Sequence, residues 1–216
     1  MHNLKLYGPD FSYFVRVCRL MCQYKNLNYE LSMSPKGEFI QPFSAEHERI
    51  HPFRKIPTLF DDKYEITESL AIASYLEDIA KPSLLANKAV AKAQDLALAN
   101  MIQSYIHSSV MRNIVLEIAF PKGDNNEIRW SLIEDNKAQA LKDLAWLNER
   151  LGPNKHLFGN KLSLSDCYLI PMLDYFTYLP SQINLIKDLE NLQHYLTFHK
   201  EQSYSKGVLE KPQINR

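Results

Sequence analysis

Ser12 stands where the short apolar run NLKLY has ended and the helical pattern FVRVCRLMC begins. A hydroxyl at a helix mouth can cap an orphan N–H, or it can donate to a group outside the helix near the positive end of the dipole. Glu68-Ser69 opens a second helical pattern, TESLAIASYLEDI, whose first turn offers unpaired N–H groups and a partial positive charge suited to a carboxylate. The other reading of that pair is an ordinary cap with a dipole-favourable acid. Between them lies Ile56-Pro57, a proline entering a β-rich run where it cannot donate to a ladder. His47 and His51 have the spacing of helical metal ligands, but Pro52 ends any helix there and no third ligand is near in sequence, so no metal is expected. Ser163-x-x-Asp166 reads as a capping box rather than as a catalytic acid. The three cysteines, Cys18, Cys22 and Cys167, are an odd number without a Cys-x-x-Cys pair, which argues against a disulfide framework or a zinc site. They read as small buried hydrophobes in a reducing compartment.

The elements that must position these groups follow from periodicity. NLKLY and NYELSM alternate polar and apolar, and between them Phe14, Val17, Cys18 and Met21 fall at helical spacing, opposite Arg16, Arg19, Gln23 and Asn26. A parallel βαβ unit with a right-handed crossover is expected. AEHERI predicts a short helix ended by His51-Pro52. KIPTLFDDKYEI predicts an antiparallel hairpin turning at Asp61-Asp62-Lys63, and Ile72, Leu76 and Ile79 stripe the helix that follows. The order is β-α-β-α-β-β-α over residues 1–80. Past Lys81-Pro82-Ser83 the strand pattern disappears, and residues 88–216 predict an all-helical domain. Its helices cover 88–120, 127–151, LSLSDCYLIPMLDYF with a kink at Pro171, and LENLQHYLTFH. The fold class is therefore α/β plus all-α.

A chain of 216 residues with 45% hydrophobic content has ample core for one large or two modest domains. Lysine plus arginine balance aspartate plus glutamate at 25 each, so no field recruits nucleic acid or an anionic membrane. The N-terminus MHNLKLYGPD has no signal-like apolar run, and a cytoplasmic, soluble protein is expected.

A βαβ unit followed by a ββα unit, with Ile-Pro-Thr entering the third strand, is the thioredoxin-like plan. Together LYGPDFSYFVRVCRL, HPFRKIPTL, ITESLAIASYLE and FGNKLSLSDCYLIPML resemble the glutathione transferase family, of the serine-type, bacterial or theta-like kind, over nearly the whole chain. Thioredoxin-like redox proteins and cysteine-type transferases begin the first helix with a cysteine, often in Cys-Pro-x-x. Here Ser12 takes that place and Tyr13 that of the proline. The resemblance implies that Ser12 donates to the glutathione sulfur and favours its thiolate, with Tyr7 as the rival donor. It implies a cis bond at Ile56-Pro57 turning the Ile56 backbone toward the cysteinyl unit, Glu68 and Ser69 holding the γ-glutamyl end, and Lys55 and Gln41 near the glycine end. A clear basic residue for the glycine carboxylate is missing from IQPFSAEHERIH. The cosubstrate would be glutathione without a metal, and the second substrate a small hydrophobic electrophile in an apolar cleft between domains, with Tyr105, Met111, Phe120 and Tyr168 as candidate lining. The resemblance also implies a homodimer. The competing reading is a non-enzymatic interaction module on the same fold, of the stress or transcription- or translation-associated kind.

Overall fold

The computed structural model describes residues 2–211 and forms two compact units, one running to Leu84 and resuming at Ser203, the other spanning Leu85–Gln202. In the first unit β1 (Leu4–Tyr7) leads through α1 (Tyr13–Tyr24) to β2 (Tyr29–Ser32), which pairs with β1 in parallel, Leu4 opposite Tyr29 and Tyr7 opposite Ser32. β3 (Thr58–Asp61) lies antiparallel on the other side of β1, and β4 (Tyr64–Thr67) antiparallel to β3, giving the order β2-β1-β3-β4. The hairpin turns at Asp62 with φ of 50°, a left-handed conformation that aspartate tolerates better than most side chains. α2 (Ser69–Ile79) packs on β3, β4 and α1. This is the expected thioredoxin-like sheet.

Two layers follow from the strand alternation. Leu6 and Leu59 are partners across β1 and β3 and fully buried, as are Ile72 and Leu76 of α2. On the opposite face Tyr7, Phe60, Ile40 and Ile50 form a separate cluster, with Met33 and Ile56 packed against it. The stretch read as a helix between β2 and β3 is a single 3₁₀ turn, Glu46–Arg49. Pro52 disfavours helix at His51. In addition, the imidazoles of His47 and His51 accept the backbone N–H groups of Phe43 (3.0 Å) and Phe53 (3.1 Å), which holds the loop in turns.

The polar residues Arg16 and Arg19 of α1 suit either a solvated helix face or a domain-interface pair, yet Arg16 is only 3% exposed. Its guanidinium donates to the carbonyls of Asp10 (3.2 Å) and Glu210 (2.5 Å), while Arg19 donates to the Tyr29 hydroxyl (3.1 Å) and the Gly207 carbonyl. Tyr24 stacks edge-on against Tyr204. These contacts explain why the segment from Ser203 belongs to the first unit, whereas the sequence pattern assigned it to the helical domain.

In the second unit α3 (Ala89–Met101) continues through a π-helical stretch, Ile102–Val115, into α4 (Leu116–Ala119). α5 (Trp130–Leu151), α6 (Leu164–Phe176) and α7 (Glu190–Lys200) complete it, and α6, which runs on through Pro171, is buried along its whole length. A buried helix start must have its N–H groups satisfied. Asp95 of α3 accepts from Leu164 N (3.2 Å) and Ser165 N (3.0 Å), and Ser163 with Asp166 closes the capping box read from the sequence. No helix among the described residues is long and apolar enough to cross a membrane.

Glu117, 2% exposed, accepts from the Arg129 backbone N–H (3.1 Å), Nε (2.9 Å) and guanidinium NH2 group (2.6 Å). The guanidinium holds its carboxyl down at about 2. A folded-state value below the ordinary 4.5 means stability that is present above 4.5 and lost as pH falls through about 2. Thermal melts of wild type should show that loss across this window and Glu117→Gln should show a smaller one; parallel profiles would deny the pair its role.

Candidate functional site

Strand register gathers the chemistry at one end of the sheet. Tyr7, the last residue of β1, lies opposite Thr58, the first of β3, and Thr58 lies opposite Thr67, the last of β4. The Gly8–Ser12 turn, the Ile56-Pro57 bond and Glu68-Ser69 therefore leave three adjacent strands at the same edge, with strands about 4.8 Å apart. Gly8 permits the close approach. Its φ is +135°, and a Cβ there would stand 2.6 Å from Val15 Cγ2 and 3.3 Å from Ile56 Cβ. It escaped the sequence reading, although a glycine directly after a strand and before a helix start was the available signal.

Ser12 is half-buried at the N-cap of α1, with extended backbone (φ −73°, ψ 131°) and its carbonyl accepting from Arg16 N at 2.9 Å. Its side chain caps nothing, and among the described residues the hydroxyl has no hydrogen-bond partner. A hydroxyl at a positive helix end with its proton uncommitted can donate to an anion.

Tyr7 is placed differently. It is fully buried, its hydroxyl donates to the Ile40 carbonyl at 3.0 Å, its ring packs edge-on against His47, and burial pushes its phenol up to about 12. The proton that a rival donor would need is already spent.

Ile56-Pro57 is cis, and neither the N–H nor the C=O of Ile56 has a partner among the described residues. Lys55 and Gln41 are both exposed beside this edge, Gln41 directly after the carbonyl that receives Tyr7. Glu68 caps α2 with φ 66° and ψ 122°, a conformation costly for a residue with a Cβ, while Ser69 is buried at 6% exposure. Strain of that kind clusters where side chains must be aimed at ligands. Glu68 itself is 71% exposed, and its carboxylate lies 3.5 Å from Nε2 of the buried His51.

Of the four residues considered for a second ligand, Tyr105 is 72% and Phe120 38% exposed. Met111 and Tyr168 have no exposed surface and are corrected to core side chains, since an apolar residue at helical spacing on a buried stripe looks the same in sequence as one facing a ligand.

Comparison with known proteins gives the family. The family description "Glutathione S-transferase, N-terminal domain" matches residues 6–83, and "Glutathione S-transferase, C-terminal domain" matches 131–197. The chain belongs to the glutathione S-transferase family. It is 24% identical over 181 residues to glutathione S-transferase F13 of Arabidopsis thaliana, covering 80% of each chain. It is 29% identical over 181 residues to a probable maleylacetoacetate isomerase of Vibrio cholerae, covering 80% of this chain and 81% of that one. Among solved structures, maize glutathione S-transferase I in complex with an atrazine glutathione conjugate superposes with a TM-score of 0.81 at 20% identity, covering 96% of both chains.

Within this family member, one further cluster offers metal-type ligands. His156, Asp166 and His199 bring one ligand atom each within 4.8 Å of one another. The Asp166 oxygens, however, already accept from Leu157 N (3.0 Å), Tyr195 OH (2.7 Å), Ser163 N (2.8 Å) and Ser163 OH (2.7 Å). His199 Nε2 is bonded to the Lys155 carbonyl at 2.8 Å. With its lone pairs so committed, the Asp166 carboxylate fixes the start of α6.

Proposed function

We propose that this protein is a glutathione transferase that binds glutathione at the β1–β3–β4 edge and uses Ser12 to hold its sulfur as a thiolate for attack on a small hydrophobic electrophile. The observation that carries the reading is the Ser12 hydroxyl, set at the mouth of α1 and free of any capping bond. A free thiol with pKa about 8.5 is mostly protonated at neutral pH, whereas the thiolate is the nucleophile. One hydrogen bond from Ser12 and the positive end of α1 both stabilise the anion.

The rest of the tripeptide follows the edge. The unpaired N–H and C=O of Ile56 pair with the cysteinyl backbone beside Pro57. The first turn of α2 with Ser69 receives the γ-glutamyl carboxylate, and Glu68 receives the α-ammonium. Lys55 and Gln41, both solvent-facing, serve the glycine carboxylate. Tyr105 and Phe120 are the remaining candidates for apolar contact with the electrophile. The attack forms a carbon–sulfur bond and expels the leaving group or, at an activated double bond, moves the electron pair onto the acceptor. Family membership supports a homodimer, which sedimentation velocity checks. Three buried free cysteines support a reducing compartment such as the cytoplasm.

Mixing the protein with glutathione and an activated aryl halide should give protein-dependent thioether formation that saturates in glutathione. Binding of glutathione without turnover on any electrophile class would instead leave the interaction-module reading. Ser12→Cys should convert the site to thiol–disulfide chemistry. Its thiolate would attack glutathione disulfide, forming a mixed disulfide and releasing one glutathione thiolate, visible as a glutathione adduct in the intact mass. An unmodified Ser12→Cys chain would place residue 12 away from the bound sulfur.

A further inference from the structure

His51 is the buried group at this edge that the proposed mechanism leaves unused. It is 2% exposed, and its backbone is fixed on both sides, N–H to the His47 carbonyl (3.0 Å) and carbonyl from Arg54 N (2.9 Å). Its Nδ1 accepts the Phe53 N–H at 3.1 Å. An accepting Nδ1 carries no proton, so the imidazole must carry its proton on Nε2. That nitrogen faces Glu68 Oε1 at 3.5 Å. Glu68 is otherwise an exposed side chain with several rotamers, on a backbone already held at φ 66°.

We infer that His51 is a positioning residue that aims the Glu68 carboxylate at the α-ammonium of the γ-glutamyl group, so that the protein selects ligands carrying that ammonium. The inference rests on the proposed role of Glu68 in glutathione binding. A ring held by Phe53 N–H presents one fixed donor to one carboxylate oxygen and leaves the other oxygen for the ligand. A fixed polar contact from outside the site orients a ligating group in this way. Ordering Glu68 in advance removes an entropy cost that each binding event would otherwise meet.

The test compares two ligands, glutathione and its analogue with a glutaryl group in place of γ-glutamyl, which lacks only the α-ammonium. Dissociation constants are measured by calorimetry for wild type, Glu68→Gln, His51→Gln and the double variant. Wild type should prefer glutathione; both single variants should lose about tenfold in glutathione affinity and change less than about twofold for the analogue, and the double variant should be no worse than Glu68→Gln. If His51→Gln weakens both ligands equally, or neither, while Glu68→Gln abolishes the preference, the positioning role is overturned and the Glu68 reading stands. If Glu68→Gln keeps the preference, the Glu68 reading fails and the inference falls with it. Should His51→Gln not fold, wild type still decides the matter. A long-range nitrogen–proton spectrum must show His51 as the Nε2–H tautomer, with a resonance that moves on Glu68→Gln. A Nδ1–H tautomer, or no response, overturns the inference.

Discussion

Ser12→Ala lowers kcat/KM for glutathione conjugation at neutral pH by about 30- to 100-fold and leaves the melting temperature nearly unchanged. The two halves of that expectation come from one geometry. Had the serine been a helix cap, its loss would cost about 1 kcal/mol of stability. Its hydroxyl caps nothing, so little stability is at stake. For the reaction, a thiol shifted down by two units owes about 2.7 kcal/mol to its surroundings. Returning it to about 8.5 cuts the thiolate fraction at pH 7 roughly 25-fold, and lost alignment of the sulfur adds the remainder. The check is a pair of measurements on the same protein, steady-state kinetics and a thermal melt. A destabilised variant with unchanged kcat/KM would return Ser12 to capping.

Asp166→Ala is the substitution with the largest expected effect on the fold, a loss of about 3–5 kcal/mol, seen as a fall in melting temperature of about 10 °C or more. Asp166 is fully buried, and its removal strands the backbone N–H groups of Leu157 and Ser163 and the hydroxyls of Ser163 and Tyr195. The Ser163 and Tyr195 donors are buried, and leaving them unpaired is costly. Burial also pushes the Asp166 carboxyl up to about 6. A folded value raised above 3.8 means that this group's contribution is fully present below 3.8 and lost as pH rises through about 6. The deficit of Asp166→Ala should therefore be larger at pH 4 than at pH 7. Equal melts for variant and wild type at both values would contradict the capping role.

The parts of this architecture that sequence periodicity carries are those stabilised locally. The β1–α1–β2 unit, the β3–β4 hairpin and the capping box of α6 were legible because alternation, helical spacing and Ser-x-x-Asp report on neighbours a few residues away. Arg16 was not legible as a buried residue, since its partner Glu210 lies 194 positions on. The 3₁₀ turn at Glu46–Arg49 was read as helix because the loop N–H groups captured by His47 and His51 leave no pattern in the sequence. At the candidate site, the order of Ser12, Ile56-Pro57 and Glu68 was legible, while their convergence required the register that sets Tyr7, Thr58 and Thr67 in a row. The commitment of Tyr7 to Ile40 and the left-handed backbone of Glu68 emerge only once the chain is folded.

The most direct measurement is a pH titration of glutathione bound to the protein, following thiolate ultraviolet absorbance in wild type and Ser12→Ala. In wild type the bound thiol should titrate about two units below the free value of about 8.5, returning toward it in the variant. An unshifted thiol at saturating glutathione, or a shift that survives loss of the hydroxyl, would contradict activation by Ser12.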